Sequence, residues 1–161
     1  MWGRLTVAER RARRTLLDLI VTVGGDPGLW ALALRLEVSE SRAAELLSAL
    51  ERKGFLVRDQ RSDTITAAYP LSTHPTQHRV TLEGRRQQVY ALCAIDALGV
   101  APTFKDAVIA RATCRHCGRP TCVHVEEEQV VGADPPDTVV WYSHPELLKS
   151  RAPALNLAEV H

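Results

Sequence analysis

The segment "PLSTHPTQ", residues 70–77, constrains this chain more than any other stretch. Proline fixes φ and removes a backbone donor, so neither a helix nor a central strand runs through two prolines this close together. The chain therefore reads as two pieces, 1–69 and 70–161. The first piece is helical. Residues 6–22 form a helix candidate in which Thr6 and Glu9 supply a capping box. Val7, Leu16, Leu17, Ile20 and Val21 supply its buried stripe, and "GGDPG" ends it. A short helix is expected from Leu29 to Leu36, and a longer one over "SESRAAELLSALERKG", capped by Ser39 and stopped at Gly54. "FLVRDQRSDTITAAYP" then reads as two strands around a polar turn at Gln60 to Asp63. Three helices followed by a hairpin is the order of a winged helix.

A winged helix raises DNA binding as one reading, with the Ser39 helix in the major groove. The charges do not favour it. Residues 1–61 hold eleven Lys and Arg against eight Asp and Glu. The recognition-helix candidate mixes Arg42, Arg52 and Lys53 with Glu40, Glu45 and Glu51, and nonspecific DNA affinity comes from neutralising phosphates. Arg10, Arg11, Arg13 and Arg14 form a dense basic cluster that reads more simply as a solvated helix face. The whole sequence carries a net charge of only +1.

No apolar run approaches the ~20 residues of a membrane helix. The basic start has no apolar core after it, so a secretory leader is not expected. A cytoplasmic location follows as an expectation. In a reducing compartment the four cysteines read as metal-binding or reactive thiols rather than disulfides.

The second piece is mixed. "HRVTLEGRRQQVY" suggests a strand, a turn at Glu83-Gly84 and entry to a helix over "VYALCAIDALG", residues 89–99, with Gly99 and Pro102 stopping it. "DAVIARAT" and "TCVHVEEE" read as strands joined by "CRHCGRP", and "TVVWYS" (138–143) as a third. The tail from His144 reads as a helix or loop-helix. The expected fold class is α+β: a winged-helix-like module, then a small domain of antiparallel strands around a buried central helix.

That helix carries a chemical oddity. It is apolar on every side, which implies burial, yet Cys93 is followed three residues later by Asp96. Residues i and i+3 are neighbours on a helix. A buried carboxyl tends to hold its proton, and a thiolate is a soft-metal ligand. A plainer reading makes Cys93 a small core residue and Asp96 an acceptor for a nearby loop or for Arg85.

Cys114, Cys117 and Cys122 form C-x2-C-x4-C across the turn, with His116 and His124 close in sequence. One reading is a structural zinc site completed by a histidine or by Cys93. Another is that these are turn and core residues shaped by Gly118 and Pro120. His74 and His78, flanking Pro75, and His144 and His161 read as loop residues.

Taken together, "AYPLS", "HRVTLEGRRQQVYALCAIDALGVAP" and "CRHCGRPTCVHV", roughly residues 67–125, resemble the organomercurial (alkylmercury) lyase family. "YALCAIDALG" is the specific part. The resemblance implies that Cys93 binds mercury as thiolate. It implies that Asp96 takes a thiol proton and delivers it to the leaving carbon, so that the carbon–mercury bond breaks by protonolysis. No cofactor is required; Hg(II) is product or bound ion, and the partner is an organomercurial or soft-metal ligand. The family adds a second, downstream cysteine in a phenylalanine-rich segment. This sequence has no cysteine after Cys122 and no phenylalanine after Phe104, although "SHPELLKSRAPALNLAEVH" resembles the family's closing segment. One of Cys114, Cys117 and Cys122 taking the missing role is a further reading. The alternative function is a non-catalytic thiol-based metal binder or winged-helix metal-responsive regulator.

Overall fold

In a computed structural model, which describes residues 4–141, the fold is α+β and the chain divides into two compact units after Pro75. The first unit holds α1 (Val7–Val23), α2 (Gly28–Leu36), α3 (Glu40–Arg52), β1 (Leu56–Arg58), β2 (Ile65–Ala68) and β3 (Leu71–Ser72). Its antiparallel strands run in the order β1-β2-β3. β3 lies inside the proline-flanked segment, where Leu71, Ser72 and Thr73 are buried and Thr73 Oγ1 donates to the Ile65 carbonyl at 2.6 Å.

Capping fixes both long helices of this unit. Thr6 Oγ1 accepts the Glu9 N–H, Glu9 Oε2 accepts the Thr6 N–H at 2.6 Å, and Ser39 accepts the Arg42 N–H at 3.2 Å. Leu16, Leu17 and Ile20 of α1 meet a core shared with Leu32 of α2 and Leu47 and Leu50 of α3. Val7 does not join that stripe. It is 74% exposed, because the first helical residue overhangs the core. The arginine cluster of α1 is not a uniformly solvated face either. Arg13 is half-buried, donates to the Tyr69 carbonyl at 2.7 Å and lies over the Phe55 ring; Arg11 donates to the Leu36 carbonyl.

The second unit is an antiparallel sheet in the order β5-β4-β6-β7-β8 with one described helix against it. The elements are β4 (His78–Leu82), β5 (Gln87–Ala91), α4 (Ala94–Phe104), β6 (Val108–Thr113), β7 (Pro120–Glu126) and β8 (Gln129–Asp134). Val80, Leu82, Val89, Ala91 and Val108 are buried in the sheet, and Ala97, Val100 and Ala101 of α4 are buried with them.

Three expectations need correction here. Residues 87–91 are a strand paired with β4, since their burial alternates with the two-residue period of a sheet. The helix therefore begins after Cys93, not at Val89. Gly99 and Pro102 lie within α4 and do not end it; Lys105, in the left-handed region at φ 51°, does. The last described strand is β8 at 129–134, and residues 138–141 form no strand. Its two-residue turn uses Glu127 and Glu128 at φ 44° and 70°, where Gly, Asn or Asp is the usual signal. Tyr142, Ser143 and the tail from His144, like Trp2, fall outside the described residues.

Glu9 ties these caps to solution behaviour. It is 7% exposed and accepts Lys53 Nζ at 2.8 and 2.6 Å. The Lys53 hydrogen bond, then that of the Thr6 N–H, holds its carboxyl at about 2, below the ordinary 4.5. A depressed folded-state value means stability that is complete above 4.5 and lost as pH falls towards 2. In urea unfolding followed by circular dichroism, Glu9→Gln should flatten the fall in midpoint across that window. An unchanged acid limb would contradict the assignment.

Candidate functional site

Cys93 sits where a strand hands over to a helix. Its backbone is extended, at φ −147° and ψ 177°, continuing the direction of β5, and the next residue is helical. The residue at such a junction normally carries an oxygen that accepts a backbone N–H of the first turn. Here sulfur takes that place: Cys93 Sγ accepts the Asp96 N–H at 3.4 Å. The thiol in turn donates to Asp96 Oδ2 at 3.1 Å. The pair thus forms a reciprocal cap. Sulfur is a weak acceptor, so a cysteine here is a poor choice for helix stability alone.

Burial dominates the electrostatics. Cys93 is 2% exposed, and burial, with a smaller contribution from the Asp96 carboxylate, pushes its thiol up to about 11, against the pull of the Asp96 and Ile95 N–H groups. Burial also pushes the Asp96 carboxyl above its ordinary value, while the thiol hydrogen bond pulls it back. Burial works against the anion of each group, and the thiol proton lies in the hydrogen bond from Cys93 to Asp96. The surroundings are wetter on one side than an all-apolar helix suggests. Asp96 is half-buried and Ile95 is 48% exposed, because only one face of α4 meets the sheet.

The other cysteines lie elsewhere. Cys114 and Cys117 occupy the β6–β7 turn, which is closed by Gly118 N–H to the Cys114 carbonyl and by Cys114 N–H to the Arg119 carbonyl, each at 2.8 Å. Gly118 has φ 73°, a conformation that glycine adopts without strain. The Cys114 sulfur accepts the backbone N–H of Cys117, then that of His116, then the Cys117 thiol, which together hold it below its ordinary value. Cys122 is on β7 opposite Arg111 and Asp134. Among the described residues no three His, Cys, Asp or Glu side chains converge on one metal position, so Cys93, Cys114, Cys117 and Cys122 are not brought into one ligand set.

Register nevertheless puts both sulfur positions at one end of the sheet. His78 pairs with Ala91, Arg79 with Arg111, and β4 separates β5 from β6. The end of β5 leading to Cys93 and the end of β6 leading to Cys114 therefore lie one strand apart. A cavity of about 620 Å³ opens at this end. Ala94, Ala97 and Leu98 of α4 line one side; Ala110, Ala112 and Val123 line the sheet side; Cys114, Cys117 and Trp141 contribute elsewhere. Cys93 and Asp96 do not line it.

Comparison with known proteins bears on this arrangement. The family model for alkylmercury lyase matches residues 71–154, just over half of the chain. The chain belongs to the alkylmercury lyase family. It is 32% identical over 80 residues to the alkylmercury lyases of Bacillus cereus and Clostridium butyricum, covering 50% of this chain and 36% of theirs. The Staphylococcus epidermidis enzyme is 32% identical over 82 residues, covering 51% and 37%. The chain thus matches about a third of the length of these relatives. The crystal structure of the mercury-bound form of MerB2 shares the fold, with a TM-score of 0.67, 23% identity and coverage of 86% of this chain and 65% of that one.

Within this family member, His78 is a residue that the loop reading misplaced. It opens β4, is 6% exposed, lines the cavity and lies 3.2 Å from the Gln77 amide. The signal was present, since His78, Val80 and Leu82 alternate with outward residues. Arg85 lies over the Phe104 ring, while its backbone and that of Gly84 donate to Asp106.

The shared proton is testable. Asp96→Asn keeps the backbone N–H that accompanies the sulfur and removes the anion that opposes its ionisation. With the other three cysteines changed to serine, pH-dependent alkylation should give Cys93 a pKa below the about 11 of the parent. An equal or higher value would show that the carboxylate does not act on the thiol.

Proposed function

We propose that this chain takes up organomercurials on Cys93 and cleaves their carbon–mercury bond by protonolysis through Asp96. The observation that carries this reading is the 3.1 Å hydrogen bond from the Cys93 thiol to the Asp96 carboxyl. A soft cation R–Hg⁺ arriving as R–Hg–X displaces the thiol proton. The sulfur gains mercury, the proton passes to Asp96, and X⁻ leaves. The two sites are already joined by a hydrogen bond, so no rearrangement precedes the transfer. In the second step the Asp96 O–H protonates the carbon, the carbon–mercury bond breaks and R–H departs. Mercury(II) remains on Cys93 with X⁻ or a solution thiolate as its other ligand, and the carboxylate is regenerated. No electron changes hands, and the charges balance.

The carboxyl suits this cycle because burial raises its proton affinity. A fully exposed aspartate would be ionised near neutral pH and would hold no proton for the carbon. Electron density supplied to mercury by sulfur weakens the bond to carbon. With one protein sulfur beside Asp96, a solution thiolate supplies the second.

A second reading is retention of the metal without cleavage. It is favoured by the absence, among the described residues, of a second cysteine in a ligand set with Cys93.

Incubation with phenylmercury and excess small thiol separates the two. Under the leading reading benzene appears by gas chromatography, at a rate that rises with thiol concentration. Asp96→Asn should lower that rate by about 10²–10⁴-fold, the usual worth of a positioned general acid. Cys93→Ser should abolish it. Mercury held by Cys93 with no benzene formed would establish the second reading instead.

A further inference from the structure

We propose that Cys114 and Cys117 form a second mercury site, in which two thiolates hold Hg(II) on the wall of the 620 Å³ cavity, separately from Cys93. The proposal goes beyond the reading of Cys93 and does not depend on turnover there. Its basis is the shape of the β6–β7 turn. Cys114, Arg115, His116, Cys117 and Gly118 wrap into one closed loop, with the Gly118 N–H on the Cys114 carbonyl at 2.8 Å. The backbone N–H groups of His116 and Cys117 point at the Cys114 sulfur, and the Cys117 thiol reaches the same atom. N–H groups directed at a sulfur stabilise its anion, and the anion is the metal ligand. The loop thus aims its N–H groups at the Cys114 sulfur before any cation arrives.

The number of donors selects the cation. Zinc takes four ligands, and among the described residues no third His, Cys, Asp or Glu joins this pair. Mercury(II) is satisfied by two sulfurs on opposite sides. Cys117 is exposed, so rotation about its side chain widens the sulfur–sulfur separation while the turn stays in place. Arg119 acts electrostatically on Cys114, and Arg111 and Arg115 also line the cavity. These cations favour two thiolates and a neutral bis-thiolate complex over a site left with positive charge. Binding is an exchange: Hg(II) arrives on two small thiolates, two mercury–sulfur bonds form and two break, and the two protein protons leave on the released thiols. No oxidant or reductant enters.

The test uses the full chain with Cys93→Ser and Cys122→Ser, reduced by a phosphine and equilibrated with Hg(II) in excess monothiol. After gel filtration this protein should retain about one mercury per chain, because two thiols in one turn act at a high effective concentration. Adding Cys117→Ser, an exposed change that leaves the turn's backbone bonds intact, should lower retention by about tenfold or more on the same basis. X-ray absorption should show two sulfur neighbours. No retention by the first protein, equal retention by both, or a four-ligand shell would overturn the proposal. Benzene release by the unmodified chain reports on Cys93 and Asp96 separately, so the two readings fail independently.

Discussion

The reciprocal hydrogen bonds between Cys93 and Asp96 set the start of α4 and tie a thiol to a carboxyl at its head. The sulfur receives a backbone N–H and gives its proton to the side chain of the same residue. The helix terminus and the candidate site are therefore one structure. A helix N-terminus attracts negative charge, which favours ionisation of either group. Burial opposes ionisation of both and prevails. The result is a thiol that keeps its proton and donates it in a hydrogen bond to a carboxyl whose own proton affinity burial raises.

The sheet makes that arrangement firm. Cys93 lies two residues past the end of β5, which is paired along its length with β4, and Thr76 Oγ1 donates to the Ala91 carbonyl at 2.6 Å. Strand pairing fixes the direction in which the chain enters the helix, and hence where the sulfur sits. The same pairing, continued through β6, brings the Cys114 turn to the same end of the sheet. Two sulfur-bearing positions thus share one end of the unit while differing in character. One is enclosed beside a carboxyl; the other is a turn half open to solvent with its N–H groups aimed at sulfur.

Membership of the alkylmercury lyase family agrees with the sequence motif, while the likeness to the solved structure speaks for the fold. No helix among the described residues is long and apolar enough to cross a membrane. The first unit has the expected order of three helices and a hairpin. Its α1 arginines are partly engaged by the protein itself: Arg11 reaches a helix-end carbonyl and Arg13 a loop carbonyl and an aromatic ring.

Local signals were enough for much of this chain. Thr6 with Glu9, Ser39 and Gly54 mark helix ends through hydrogen bonds made within a few residues, so α1 and α3 are legible from the sequence. Cys93 and Asp96 stand out because their spacing and apolar company need no distant partner to be noticed. The tertiary structure decided what depends on remote pairing. Residues 87–91 are a strand because β4 is there to pair with them, and this turns Cys93 from a mid-helix residue into a cap. β8 exists because β7 offers its edge, despite a turn with no glycine or asparagine. His78 is buried because register puts it opposite Ala91. Short-range capping and periodicity are written in neighbouring residues, whereas strand pairing and burial are properties of surfaces that meet only once the chain has folded.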